Sequence, residues 1–220
     1  MMPKVVIHIV TSLDGKVNGF EADIGAYYKL AETFEPDCML SGSNTILAAD
    51  MPDPVPEWCF EAAAQYSSCS RMIMAIVDSQ GRIRNWNAIK KQPFWKKPVA
   101  LCSKSTPKEY LDYLKKEGIE FIIAGKEKVD LPEAMKELHL KFGVETIRID
   151  SGGTLSTLML AQGLVDEISL LLHPGIAGNL SSKRFIEDAG LKLGKPIDMR
   201  LEHVEKLEND YVWLKYTVIK

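Results

Sequence analysis

The chain has 220 residues, 46% hydrophobic and 26% charged, and its 27 basic against 30 acidic residues leave a formal charge of −3. That length suits one large domain or two small ones, and the balance excludes a broadly basic nucleic-acid surface. With 15 Gly, 11 Pro and 4 Cys, collagen-like, disordered and disulfide-scaffold classes are excluded too.

Val5–Val10 reads as a first buried strand, too short for a signal-peptide core, and no stretch approaches the ~18 apolar residues of a membrane span. Ile24–Phe34 places Tyr27, Leu30, Ala31 and Phe34 at helical spacing and stops before Pro36. Cys38–Leu40 is a short strand running into a short helix after Ser41-Gly42-Ser43-Asn44-Thr45. Residues 50–70, with Pro52, Pro54 and Pro56, read as an irregular surface excursion. Met72–Val77 and Pro98–Cys102 are strands, and a helix begins at Thr106-Pro107 and runs to Glu117. Ile119–Ala124 is a strand, Leu131–Phe142 a helix ended by Gly143, Thr146–Ile149 a strand and Thr154–Ala161 a helix. Ile168–Leu172 is a further strand, and Met199–Leu207 with Tyr211–Ile219 forms a hairpin about Glu208-Asn209-Asp210. The pattern predicts a three-layer α/β/α domain over residues 1–220. Its mixed sheet is mostly parallel, with a C-terminal antiparallel hairpin.

Cys38, Cys59, Cys69 and Cys102 form no C-x-x-C pair, and His8, His139, His173 and His203 join them at no metal-ligand spacing. They read as free thiols in a reducing cytoplasm, without a metal.

In open α/β sheets ligands bind in loops following the strands' carboxyl ends, and four such loops here are polar. Thr11-Ser12-Leu13-Asp14-Gly15-Lys16 offers hydroxyls, a carboxylate and an ammonium, although Asp-Gly turn chemistry explains it as well. Ser41–Thr45 offers hydroxyls and a glycine at a helix start, where Ser and Asn also serve as caps. Ser103-Lys104-Ser105 suits a phosphate ester or a solvated loop. Asp150-Ser151-Gly152-Gly153-Thr154-Leu155 is the most specific, because paired glycines at a helix N-terminus admit a pyrophosphate. Neither a Rossmann nor a phosphate-loop fingerprint occurs, and no G-x-S-x-G or H-E-x-x-H motif supports hydrolysis. Trp58, Trp86 and Trp95 are readable either as a stacking cleft or as core.

Taken in order, Thr11–Val17, Leu40–Ile46, Val77–Ser79, Ile149–Leu155, Gly163–Ile168 and His173–Gly178 resemble the reductase domain of riboflavin biosynthesis. This is the RibD C-terminal kind, with a dihydrofolate-reductase-like fold. The resemblance implies an NADPH-dependent oxidoreductase, commonly a homodimer, that reduces a ribosylamino-pyrimidine phosphate. It gives Gly42, Thr45, Ser103, Lys104, Gly152, Gly153, Thr154 and Leu155 to the cofactor, with Ser103 and Lys104 near its 2′-phosphate. Thr11, Asp14 and Lys16 become the catalytic set, and Asp14 and Asp150 face the substrate. Asp150 stands where the family has Glu. The family's substrate-phosphate arginines are missing from Tyr27–Phe34 and from Ala49–Pro56. A paralogue acting on another pterin or carbonyl compound, and a non-catalytic nucleotide-binding domain, are the alternatives. No partner beyond a small-molecule substrate is implied, neither nucleic acid nor membrane.

Overall fold

A computed structural model describes residues 1–49, 51, 54–65, 72–187 and 196–220. The chain divides into two compact units. The first comprises Met1–Pro3 and Glu35–Ile147, the second Lys4–Phe34 and Arg148–Lys220.

In the first unit, β2 (Cys38–Gly42), β3 (Ile73–Val77), β4 (Lys97–Cys102) and β5 (Glu120–Ile123) are all parallel, in the order β5-β4-β3-β2. Val99, Ala100, Leu101 and Cys102 are successive buried residues, the continuous apolar run expected of a parallel strand covered on both faces. Helices α2 (Ser43–Ala48), α3 (Glu57–Gln65), α4 (Trp86–Lys91), α5 (Lys108–Lys116) and α6 (Leu131–Phe142) lie between and after these strands. Helix α6 shows why the local reading succeeds. Asp130 accepts from the Glu133 N–H at 2.9 Å, and Gly143 closes the last turn at φ 70°. Leu131, Ala134, Met135 and Leu138 bury one face between those caps.

Two elements depart from expectation. Glu57–Gln65 is helical rather than irregular, because Pro54 and Pro56 precede its first turn instead of interrupting it. The rest of that stretch, residues 50, 52, 53 and 66–71, lies outside the described residues, as does the Trp58 side chain. Helix α4 has only six residues, too few to show a period. Its Trp86 is core and not a cleft wall: it is fully buried and donates from Nε1 to the Tyr110 hydroxyl at 3.0 Å. Tyr110 in turn donates to Asp78 Oδ2 at 2.8 Å, and burial beside that carboxylate pushes its phenol up. Asp78 therefore anchors the turn after β3, accepting also from the Ile83 N–H.

Strand β6 (Thr146–Ile149) spans the boundary between the units in sequence. The second unit contains β1 (Lys4–Thr11), α1 (Ile24–Glu32), α7 (Gly153–Ala161), β7 (Glu167–Leu172), β8 (Met199–Lys206) and β9 (Val212–Val218). Its strand order is β1-β7-β9-β8, with β1 and β7 parallel and the remaining pairs antiparallel. The expected hairpin is present; Asn209 and Asp210 turn it in left-handed conformations at φ 56° and 59°. These residue types tolerate that region best after glycine. The core of this unit joins Tyr27 and Leu30 of α1 to Leu171, Tyr211 and Trp213.

Beneath α1 lies a closed polar network. His8 is fully buried, with Nε2 2.9 Å from the Tyr27 carbonyl and Nδ1 2.9 Å from Ser169 Oγ. A carbonyl only accepts, so Nε2 carries the proton and Nδ1 accepts from the Ser169 hydroxyl. Ser169 Oγ itself accepts from Trp213 Nε1 at 2.8 Å. Cys38 and Cys102 are buried free thiols, each pushed up to about 12 chiefly by burial. Among the described residues, no helix is long and apolar enough to cross a membrane.

Candidate functional site

Thr11 pairs with Leu172, so the loops leaving β1 and β7 emerge side by side at the carboxyl end of two parallel strands. The Thr11 carbonyl accepts from the His173 N–H at 2.7 Å, and the Leu13 N–H donates to the Gly175 carbonyl. Ser12 folds the first loop tightly. Its hydroxyl donates to Asp14 Oδ1 at 2.7 Å and accepts from the Lys16 N–H at 3.0 Å, while Gly15 takes the left-handed turn at φ 74°. Asp14 is engaged on both oxygens, by the Ser12 hydroxyl and by the N–H groups of Ala177 and Gly178 at 2.9 Å. Those donors, Ser12 foremost, hold its carboxyl down to about 2.

Lys16 is 9% exposed, an unusual degree of burial for an ammonium-bearing side chain. Among the described residues its Nζ has neither an acidic nor a hydrogen-bonding partner.

The glycine turn follows β6. Arg148, 1% exposed, grips Asp150 side-on, from Nε to Oδ1 at 2.7 Å and from its NH2 to Oδ2 at 2.8 Å. The Tyr27 hydroxyl donates to the His8 carbonyl at 3.1 Å, and burial, with the nearby Asp150 carboxylate, pushes it up. The carboxylate expected to face substrate is thus already committed to Arg148. The two glycines differ. Gly152 has open space where a Cβ would stand, whereas a Cβ on Gly153 would strike the Glu187 side chain and come 2.7 Å from the Arg184 carbonyl. Thr154 Oγ1 donates to Glu187 Oε2 at 3.2 Å, and the Glu187 N–H donates to Thr157 Oγ1 at 3.1 Å. Gly153 is therefore small because Arg184 and Glu187 pack on it. Of the two, Gly152 has open space beside its Cα among the described residues.

That same segment, Ser181–Glu187, runs antiparallel to the first loop. Val17 N–H donates to the Lys183 carbonyl and Phe185 N–H to the Gly15 carbonyl, each at 3.2 Å, which pairs Lys16 with Arg184. Arg184 thereby joins the Lys16 loop to the glycine turn. Sequence reasoning missed it, because the pairing links residues far apart in the chain.

In the first unit, the loops after β2, β3, β4 and β5 share one end of the parallel strands. Arg82 reaches from the turn after β3 to the start of α2, donating to Ser43 Oγ at 2.7 Å and to Asn44 Oδ1 at 2.6 Å. It is a cation that sequence reading passed over, beside the expected Gly42 and Thr45. Ser103 is fully buried, and its hydroxyl is occupied with Ser105, Thr106 and the Glu127 carbonyl. Lys104 is exposed, its backbone N–H bound to the Gly125 carbonyl.

The chain has relatives among known proteins. A family model described as the RibD C-terminal domain matches residues 3–213. A 2,5-diamino-6-ribosylamino-4(3H)-pyrimidinone 5′-phosphate reductase of Methanothermobacter thermautotrophicus is 28% identical, over 99% of this chain and 99% of its own. Two solved structures share the fold. A pyrimidine reductase-like protein of Corynebacterium diphtheriae has a TM-score of 0.71 at 16% identity, covering 99% of this chain and 92% of that one. The riboflavin biosynthesis reductase of Saccharomyces cerevisiae has a TM-score of 0.69 at 18% identity, covering 99% and 90%.

Proposed function

Because the chain belongs to the RibD C-terminal domain family, we propose that it is a reductase that uses NADPH to reduce a ribosylamino-pyrimidine phosphate. The observation that carries this reading is Lys16, a 9% exposed residue whose ammonium has no acidic or hydrogen-bonding partner among the described residues, on a loop joined through Arg184 to the glycine turn.

The residues present fit a dinucleotide. Gly152 offers an open backbone at the N-terminus of α7, where N–H groups and the helix dipole favour phosphate. NADPH, when bound, supplies the hydride. Thr154 and Leu155 follow in the same helical turn. In the first unit, Gly42, Thr45 and exposed Lys104 are assigned to the cofactor as the resemblance implies, and we add Arg82 as a guanidinium for a phosphoryl group. Ser103 holds its loop in shape.

In the second unit, Lys16 presents its ammonium to the substrate. Asp14, with a carboxylate bonded to three donors, fixes the 177–178 backbone and thereby the position of the Lys16 loop; it is a positioning residue. Thr11 fixes the neighbouring loop through its carbonyl. Asp150, clamped by Arg148, sets the entry to the glycine turn. On the resemblance alone the proposal extends to a cytoplasmic homodimer, which sedimentation equilibrium tests.

The decisive assay follows NADPH oxidation by absorbance with 2,5-diamino-6-ribosylamino-4(3H)-pyrimidinone 5′-phosphate as substrate. Turnover that is lost in Lys16→Met supports the reading. NADPH binding without oxidation refutes it, and oxidation with another pterin or carbonyl substrate then separates a paralogue from a non-catalytic nucleotide-binding domain.

A further inference from the structure

We propose that Lys16 and Arg184 together form the grip for the substrate's phosphate monoester, an assignment that rests on the reductase reading above. The hydrogen bonds Val17 N–H to Lys183 O and Phe185 N–H to Gly15 O flank the Lys16–Arg184 pair without involving it. That is the non-hydrogen-bonded position of an antiparallel ladder, where Cα atoms approach to about 4.5 Å and side chains leave on the same face. The two cationic residues thus leave the ladder on one face, Lys16 largely buried and Arg184 exposed.

Like charges directly opposite one another destabilise a ladder unless something neutralises them. No carboxylate of the described residues does so. Neither Lys16 Nζ nor the Arg184 guanidinium has an ion pair or hydrogen bond among them. The acids on adjoining loops are committed elsewhere: Asp14 to Ser12, Ala177 and Gly178, Asp150 to Arg148, and Glu187 to Thr154.

The pair leaves two cations open at one place, Lys16 on a largely buried stem and Arg184 exposed, where an anionic ligand can reach both. A phosphate monoester brings close to two negative charges and three acceptor oxygens. It matches one ammonium with three donors and one guanidinium fork better than a single carboxylate does. The backbone beneath the pair is stiff. Ser12 closes the Lys16 loop by a side-chain bond to the Lys16 N–H, and the Arg184 carbonyl lies against Gly153. The grip also accounts for a gap in the sequence: Tyr27–Phe34 carries no arginine, so the anion is held instead by a cation from the far end of the chain.

The test titrates the full chain by calorimetry with ribose 5-phosphate, using ribose as the uncharged control, and separately with NADPH. Wild type binds ribose 5-phosphate and not ribose. Arg184→Gln weakens that binding roughly ten- to hundred-fold, the loss of one charge-assisted contact, while NADPH affinity stays within about twofold. Arg184→Lys recovers part of the loss and serves also if the Gln variant folds poorly. Lys183→Gln removes an equal charge from the alternate face of the segment and leaves ribose 5-phosphate binding unchanged. Wild type that binds ribose 5-phosphate no better than ribose overturns the proposal. So does an Arg184→Gln variant that loses NADPH instead, which assigns the pair to a cofactor phosphate. Failure of the reductase reading shows in a different measurement, as no NADPH oxidation by wild type, and leaves the anion titration standing.

Discussion

Replacing His8 by Gln removes one titrating group from the buried network of the second unit, and its consequence for stability can be worked out. Burial, the largest cause, lowers the His8 pKa from 6.5 to about 4; nearby Arg148 adds to the lowering, while Asp150 and the Tyr27 carbonyl oppose it. The folded imidazole therefore refuses a proton that the unfolded one accepts. The stabilisation is fully present above about pH 6.5 and is lost as pH falls through the folded value near 4. At 1.36 kcal/mol per unit, the whole effect is roughly 3 kcal/mol, with about 1.4 kcal/mol gone at about pH 5.5. The chemistry is specific, since a proton on Nδ1 turns the acceptor of the Ser169 hydroxyl into a donor. Urea unfolding of wild type and His8→Gln across about pH 4.5–7.5 reads it as the difference between the two curves. That difference narrows by roughly 2–3 kcal/mol toward low pH, because the variant has no such proton to refuse. A difference independent of pH refutes the reasoning.

The two glycines of the turn separate binding from folding. Gly152→Ala leaves the melting temperature unchanged but raises KM for NADPH several-fold, while Gly153→Ala drives out Glu187 and lowers the melting temperature by a few degrees; reversed phenotypes contradict the assignment. Asp150→Asn leaves Arg148 buried opposite a neutral amide and costs roughly 3–5 kcal/mol in urea unfolding. A loss below about 1 kcal/mol would mean that water reaches the pair. Arg82→Gln and Lys104→Ala each raise KM for NADPH more than for NADH, and equal effects on both cofactors remove them from the 2′-phosphate.

What the chain reveals without its structure depends on the range of the interaction. Helix α6 was legible from Asp130 to Gly143, because its caps and its apolar face are all local. The mostly parallel order followed from alternating apolar runs and helices. Helix α3 was hidden by the prolines ahead of it, and α4 by its brevity. At the site, Lys16 and Gly152 were visible as residue types suited to their chemistry. The burial that makes Lys16 unusual was not, nor was the packing that gives Gly153 a different reason from its neighbour. Arg148 was within reach: two residues before Asp150 on a strand, it shares a face with it. Arg184 was not, since only the folded ladder brings it to Lys16.

The second unit is discontinuous, and that has a consequence in time. Strand β1 is made first, yet Val5 is bonded to Asp166, 161 residues later. At roughly 5–20 residues per second, its partner follows after roughly 8–30 s of synthesis. Glu35–Ile147, uninterrupted, can collapse during that interval while Val5, Val6 and Ile7 wait exposed. The nascent chain thus has a built-in order of assembly, in which the loop that carries Lys16 acquires its shape only when the last third of the protein has left the ribosome.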